Sequence, residues 1–280
     1  MSGPLGNLAK TLARPLDLLP RNQRIRISRH LLNRARGEND IDPESNGEYF
    51  VLGLARAQLA RTPAVVFDVG ANVGDWTAEL CQGIGTPLRV FCFEPASETH
   101  AHVTRRLAGL KTGATIETVR AAVGAEPGEA TLHVYLSLAG NQSLILRDGP
   151  QGVGGGTPTP ETVPVVALDH FCAERGITEV GFVKSDTEGF EVQVMKGLAG
   201  MLGRKAVGAL QFEYNDAWID ARAFLKDAFD FLTPLGYTLA RIHPRGIEVM
   251  DGYLHALDNF QFSNYLALRD DWLRLFPRIR

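Results

Sequence analysis

Two short stretches carry most of the chemistry that the sequence offers. "FVKSDTEGFE" closes an apolar run with Lys184, Asp186, Glu188 and, past Gly189, Glu191. "LQFEYND" ends in the same way with Glu213, followed by Asn215 and Asp216. Carboxylates delivered at the ends of buried segments suit two kinds of work. They accept a proton from an attacking hydroxyl, or they hold a hard cation that acidifies it. Asp186 and Glu213 are the expected catalytic carboxylates. His243, on a loop before Pro244, is a further candidate base, although a lone loop histidine is more often only solvated. Asp186 and Glu213 with Asn215 or Asp216 form an oxygen-only set suited to Mg²⁺, with polar substrate contacts and no metal as the alternative. Lys184 alternates with Asp186 along the strand, so the two are expected to pair. Acidic residues at a helix start also offset the helix dipole. That is the alternative reading of Glu188 and the preferred one for Glu191. The remaining histidines show no metal-ligand spacing, and no serine sits in a nucleophile elbow.

A third stretch, "VVFDVGANVGDWT", places Asp68, Gly70, Asn72 and Gly74 where an apolar strand turns into a helix. In a doubly wound sheet, ligands sit beyond the carboxyl ends of the strands. Gly70 then permits a tight turn and close approach of backbone to ligand, and Gly74 lets the following helix pack closely. The helix N-terminus points its N–H groups at a polar ligand. The spacing is neither G-x-G-x-x-G nor a P-loop, so pyrophosphate recognition is poorly supported. The next strand, "LRVFCFEP", ends in Glu94, a carboxylate placed to accept both hydroxyls of a ribose. An adenosine bearing a cationic sulfonium and an amino-acid tail fits this layout better than a dinucleotide. "GNQSLI" adds Asn141 and Ser143 as candidate cofactor contacts, with a plain turn as the alternative. Trp218 walls a substrate pocket or simply packs a helix.

These residues need an alternating α/β scaffold. Residues 1–36 read as short helices broken at Pro15 and Pro20, and residues 37–49 as a loop. "YFVLGLARAQLA" has helical spacing. Strands "AVVFDV", "LRVFCFEP" and "ATIETVRAAVG" then alternate with helices "DWTAELCQGI" and "SETHAHVTRRLAGL". β-rich "GEATLHVYLS" and "TVPVVALDHF" flank a Gly/Pro/Thr loop that offers little to pack. Alternation resumes through "EVGFVKSD", a helix near "GFEVQVMKGL", "GALQFEYND", helix "ARAFLKDAFDFLTPLG", "YTLARIH", a loop and "SNYLAL". About seven strands in one doubly wound α/β sheet are expected. The expected domains are a basic helical extension and loop over 1–48 and an α/β domain over 49–280.

The 280 residues have an ordinary globular composition and a net charge of −3, which gives no nucleic-acid signature. The charge is uneven, however. Residues 1–36 carry eight Lys or Arg against Asp17 alone, leaving 21 basic and 31 acidic residues elsewhere. The preferred reading of this arm is a solvated helical extension packed on the acidic body. Contact with an acidic partner or a membrane surface is the alternative. Cys81, Cys92 and Cys172 make no disulfide framework. Neither a membrane-spanning run nor a secretory signal is present, so a cytoplasmic protein is expected.

"VVFDVGANVGDWT", "VFCFEP", "AAVG" and "VKSDTEGFEVQVMKG", with "NGEYF" upstream and "FEYND" downstream, resemble FkbM-type S-adenosylmethionine-dependent methyltransferases over residues 45–270. The resemblance implies a class I, Rossmann-like methyltransferase sheet ending in an antiparallel hairpin. It also implies S-adenosylmethionine as cofactor and O-methylation of a sugar or other small molecule in a natural-product or polysaccharide pathway. Asp68, Gly70, Asn72, Gly74, Glu94, Ala122, Asn141, Ser143 and Asp186 become the expected cofactor-binding residues. An NAD-dependent oxidoreductase would share the sheet logic, but the sequence lacks the G-x-G-x-x-G fingerprint and a Tyr-x-x-x-Lys-type pair. A non-catalytic nucleoside-binding module would not need the acids at Asp186 and Glu213.

Overall fold

The computed structural model describes residues 14–61, 64–85, 87–135, 142–147 and 157–279. Two compact units form, Met1–Asp40 and Ile41–Arg280. The sequence set the division at 48/49, so residues 41–48, which include Glu48, fall in the second unit. In the first unit, helix α1 (Arg21–Arg36) starts directly after Pro20 and stops at Gly37, whose φ of 65° is left-handed.

The second unit opens with α2 (Glu48–Leu59), then β1 (Ala64–Val69), α3 (Asp75–Cys81), β2 (Leu88–Phe93), α4 (Ser97–Ala108) and β3 (Thr115–Val119). Strands β4 (Ala122–Val123), β5 (Gly128–Val134) and β6 (Thr159–Val166) lead to α5 (Leu168–Glu174). The chain continues through β7 (Val180–Ser185), α6 (Glu191–Gly197), β8 (Val207–Tyr214), α7 (Leu225–Leu232), β9 (Thr238–His243), β10 (Gly246–Val249) and β11 (Ser263–Leu268). Eight strands form the main sheet, in the order β3-β2-β1-β7-β8-β11-β9-β10. The five from β3 to β8 are parallel. Strand β11 runs antiparallel between β8 and β9, and β10 closes the edge as a hairpin with β9. Strand order reverses between β1 and β7, which is where ligands bind in such sheets. The doubly wound, Rossmann-like sheet expected from the sequence is therefore present.

Period-2 alternation explains why the central strands are apolar on both faces. Phe67, Val69, Phe91, Phe93, Val183 and Leu210 fill one layer. Val66, Val90, Cys92, Phe182 and Ala209 fill the other. Phe67, Phe91, Phe93 and Phe171 pack edge to face with centroids 5.1 to 5.9 Å apart, a rigid base beneath the ends of β1 and β2.

Three local expectations are corrected. The third strand is not continuous, because β4 leaves the main sheet to pair with β6 in a three-stranded sheet, β4-β6-β5. "LDHF", read with a strand, begins α5, where Leu168, Phe171 and Cys172 are buried at helical spacing. β10 lies in what reads as a loop, since four residues are too few to show a period. In addition, α7 starts only at Leu225, after a chain reversal at Arg222 (φ 54°).

The seam between β1 and β7 sets the site. Asp186 N–H donates to the Val69 carbonyl at 2.9 Å, while Gly70 and Ala71 N–H both donate to Phe93 O at 3.0 Å. Gly70 has a φ of 80°, and a Cβ there would lie 1.8 Å from the Asp186 carbonyl oxygen. The glycine is thus required by the neighbouring strand end rather than by ligand approach. Gly70→Ala is expected to destabilise the fold by about 2 kcal/mol or more, because left-handed strain and a backbone clash coincide. Urea unfolding measures this, and an unchanged midpoint would mean that the seam gives way freely.

Candidate active site

Beyond the carboxyl ends of β1, β2 and β7 lies a cavity of about 510 Å³, its mouth included. Phe93, Ala122, Leu132, Leu144 and Phe190 give it apolar walls, and Gly70, Asn72, Glu94, Ser143 and Asp186 give it polar ones. Glu94 is buried, with one oxygen accepting Asn72 N–H and the other Ala96 N–H, both at 3.0 Å. Burial pushes its carboxyl up to about 7 despite those two bonds. Asn72 sits in a left-handed turn (φ 47°), and its buried Oδ1 has no hydrogen-bond partner. Ser143 donates to the Glu188 carbonyl at 2.7 Å and accepts Ile145 N–H, so its hydroxyl pins the loop above the cavity.

Two residues expected at the cofactor lie elsewhere. Asp68 points to the opposite face of β1, fully buried, where Thr77 Oγ1 donates to it at 2.6 Å; it does not line the cavity. Gly74 is also absent from the lining. A Cβ there would meet Val103 at 2.7 Å, so this glycine lets α3 start against α4. Asn141 lies outside the described residues.

A second, wider cleft of about 1150 Å³, the open space at its mouth included, adjoins the first. Tyr49, Trp76 and Phe262 line it together with Glu48, Arg147, Lys184, Glu213 and Asn215. Asp186 and Glu188 line both cavities. Lys184, its side chain 11% exposed, donates to Asp186 Oδ2 at 2.9 Å, the pair expected from their alternation, and it stands 3.8 Å from Glu48 Oε1. Burial alone would lower the Lys184 ammonium, but Asp186, Glu48 and Asp68 together hold it above its ordinary value. Glu48 also accepts Gln211 Nε2 at 2.9 Å and is itself raised, chiefly by burial. Glu188 accepts Arg147 at 3.3 Å, and Arg147 also binds Asp216 at 2.6 Å. Burial, then the Asp186 charge, raises both Glu188 and Glu213. Glu191 is buried at the start of α6, where it accepts Thr187 N–H at 2.8 Å and Gly189 N–H at 3.1 Å. It therefore holds the turn that carries Asp186 and Glu188, which is more than offsetting a dipole.

The acidic set differs from the expected one by one member. Carboxylate oxygens of Asp186, Glu188 and Glu213 lie within 4.8 Å of one another. Asn215 instead turns its amide N–H toward Glu213 and Glu188, and its oxygen accepts Ala217 N–H at 2.8 Å, so it offers the cluster no ligand oxygen. His243 ends β9 beyond β11, pairs with Glu248 at 3.2 Å and lines neither cavity. Trp218 packs against Phe212 and Tyr214 and gives its indole N–H to the Glu213 carbonyl, so it is a packing residue. The sequence reading missed Glu48 and Arg147 as site residues. Only "NGEYF" hinted at Glu48.

Residues 68–239 match the methyltransferase FkbM domain, so the chain belongs to that family of methyltransferases. It is an S-adenosylmethionine-dependent methyltransferase. Precorrin-6y C5,15-methyltransferase from Geobacter metallireducens GS-15 is 12% identical, covering 79% of this chain and 88% of that one, with a TM-score of 0.38. A SAM-dependent methyltransferase from Aquifex aeolicus is also 12% identical, covering 81% and 94%, with a TM-score of 0.41. No match is found among curated proteins. The first cavity suits the cofactor chemically: Asn72 Oδ1 is a buried acceptor lacking a donor, and Glu94 is fixed by backbone bonds at the end of β2.

Lys184 tests the electrostatics of the wall. Lys184→Met is expected to cost about 3–5 kcal/mol, because it strands buried carboxylates. The loss should be larger at pH 8 than at pH 5 (about those values), since buried Glu48, its carboxyl already raised, takes up a proton in acid and relieves the penalty. Denaturant unfolding at both values measures it.

Proposed function

We propose that the protein transfers a methyl group to a hydroxyl of a small molecule, a sugar or similar polyol, seated in the wider cavity. One observation carries the reading: Asp186 and Glu188 line both cavities, so they form the wall where donor and acceptor sides meet. Bound S-adenosylmethionine supplies an electrophilic methyl on a sulfonium. Glu94 would hold the ribose hydroxyls, Asn72 Oδ1 would accept from a donor on the cofactor, and Ala122, Leu132 and Phe190 would offer apolar surface to its base.

A sugar hydroxyl is a weak nucleophile at neutral pH, so its proton must leave as the oxygen attacks. Asp186 takes that proton. Lys184 engages its Oδ2 and leaves Oδ1 toward the acceptor. Glu213 and Glu188 lie beside it, raised by burial, and orient the hydroxyl by sharing protons with it. A divalent cation such as Mg²⁺ on Asp186, Glu188 and Glu213 is the second reading, favoured by their mutual closeness. Against it, Lys184, Arg147 and Asn215 already bring a donor to each of the three carboxylates.

Asp186→Asn is expected to lower turnover by ~10²-fold or more while leaving cofactor affinity nearly unchanged, the scale of a lost general base. Release of S-adenosylhomocysteine with a true acceptor is the readout. Activity that collapses in EDTA and returns with Mg²⁺ would select the cation reading. Normal turnover by both Asp186→Asn and Glu213→Gln would remove both.

Glu94 gives a pH signature. Burial raises its carboxyl to about 7, so in the free protein ionising it weakens the fold as pH climbs from the ordinary carboxylate range toward that value. A diol favours the ionised acceptor, so cofactor affinity should rise with pH over the same interval. Below about 7 it should fall by up to roughly tenfold per pH unit. Calorimetry of wild type and Glu94→Gln checks this. The variant should bind by on the order of 2–3 kcal/mol less tightly and lose the pH dependence.

A further inference from the structure

Helix α1 plays no part in the site described above, and its sequence, "RNQRIRISRHLLNRAR", contains six arginines and no acid. Projected at the helical period, Ile25, Ile27, Leu31, Leu32 and Ala35 share one arc of about 160°. Arg26 and His30 lie opposite it, Arg29, Arg34 and Arg36 flank its edges, and Ser28 falls within it. Arg21 and Arg24 interrupt the apolar arc in the first turn. None of the sixteen residues is buried; Ile25 is 42%, Leu31 56% and Leu32 50% exposed. Leu18, in the turn just before, is 88% exposed. Arg24 pairs with Asp17 and Arg36 approaches Glu38. Among the described residues, Arg21, Arg26, Arg29 and Arg34 make no ion pair.

We propose that α1 is an interfacial helix that seats the protein on an anionic membrane surface. Its apolar arc would enter the headgroup–acyl boundary, and its arginines would pair with lipid phosphates and carboxylates. A helix of sixteen residues is about 24 Å long, and no helix among the described residues is long and apolar enough to cross a membrane. The helix would therefore lie in the interface plane. Both halves of the recognition chemistry are on this one element. An all-round basic helix would suit nucleic acid, whose phosphates have no use for exposed Leu31 and Leu32. A neutral amphipathic helix would not distinguish lipids by charge. Guanidinium groups match phosphate in a bidentate way and keep their charge at any physiological pH.

The test is cosedimentation of the full chain with phosphatidylcholine vesicles, with and without phosphatidylserine. Binding is expected only when phosphatidylserine is present, with release by salt as the surface charge is screened. Arg26→Gln, Arg29→Gln and Arg34→Gln combined should weaken binding by on the order of 100-fold. Leu31→Ser with Leu32→Ser should weaken it about tenfold or more while every arginine remains. The melting temperature of each variant checks that the fold is intact. Absence of binding to anionic vesicles, or equal binding to neutral ones, overturns the proposal. So does a Leu31→Ser, Leu32→Ser variant that binds vesicles as wild type does. If that variant also binds a single-stranded RNA oligonucleotide as tightly as wild type, the surface belongs to nucleic acid instead.

Discussion

The ammonium of Lys184 is the interaction on which the site depends. It reaches Asp186 at 2.9 Å on its own strand and Glu48 at 3.8 Å on α2, and it sits in register beside Asp68 of β1. One cation thus joins helix α2, the central strand β1 and the strand end that carries Asp186. Glu48 and Asp68, both buried, would be strongly disfavoured as carboxylates at that depth without it. Once it is present, the geometry of the strand end follows, because Asp186 is held from its backbone by Val69 and from its side chain by Lys184. Gly70 then has to be a glycine, since the two strand ends approach closer than any Cβ allows.

How much of this was legible depended on how local each signal was. The turn after β1 could be read because glycine and asparagine mark left-handed backbone within five residues. Glu94 could be read because a carboxylate ending an apolar strand has few other uses. Glu188 was read only ambiguously. Its place in the wall comes from a left-handed turn at φ 54°, held by Glu191, which no periodicity announces. Glu48 and Arg147 enter the site through tertiary contacts with Lys184, Gln211 and Glu188, far away in the chain. Spacing cannot encode such contacts. Asn215 was misjudged for a similar reason: its type offers both an acceptor and a donor, and only the neighbouring Ala217 N–H decides which one is spent. β4 and β10 escaped because strands of two and four residues carry too few positions for an alternation.

The wall between the cavities is short of positive charge. Glu48, Asp186, Glu188 and Glu213 face Lys184 and Arg147, and Glu48, Glu188 and Glu213 are all raised above their ordinary range. The shared direction has a shared cause, burial first and then the charge of neighbouring carboxylates. A cationic donor brought to this wall meets a complementary field at low dielectric, where such fields act strongly. The proposed reaction preserves that balance. A wall that takes the acceptor's proton gains one positive charge as the donor's sulfonium charge is lost, so the total charge inside the site stays constant through the transfer. Little reorganisation of the surrounding dipoles is then needed. Three closely spaced, half-buried acids, which a binding module would not need, fit the proposed reaction, in which proton and methyl move together.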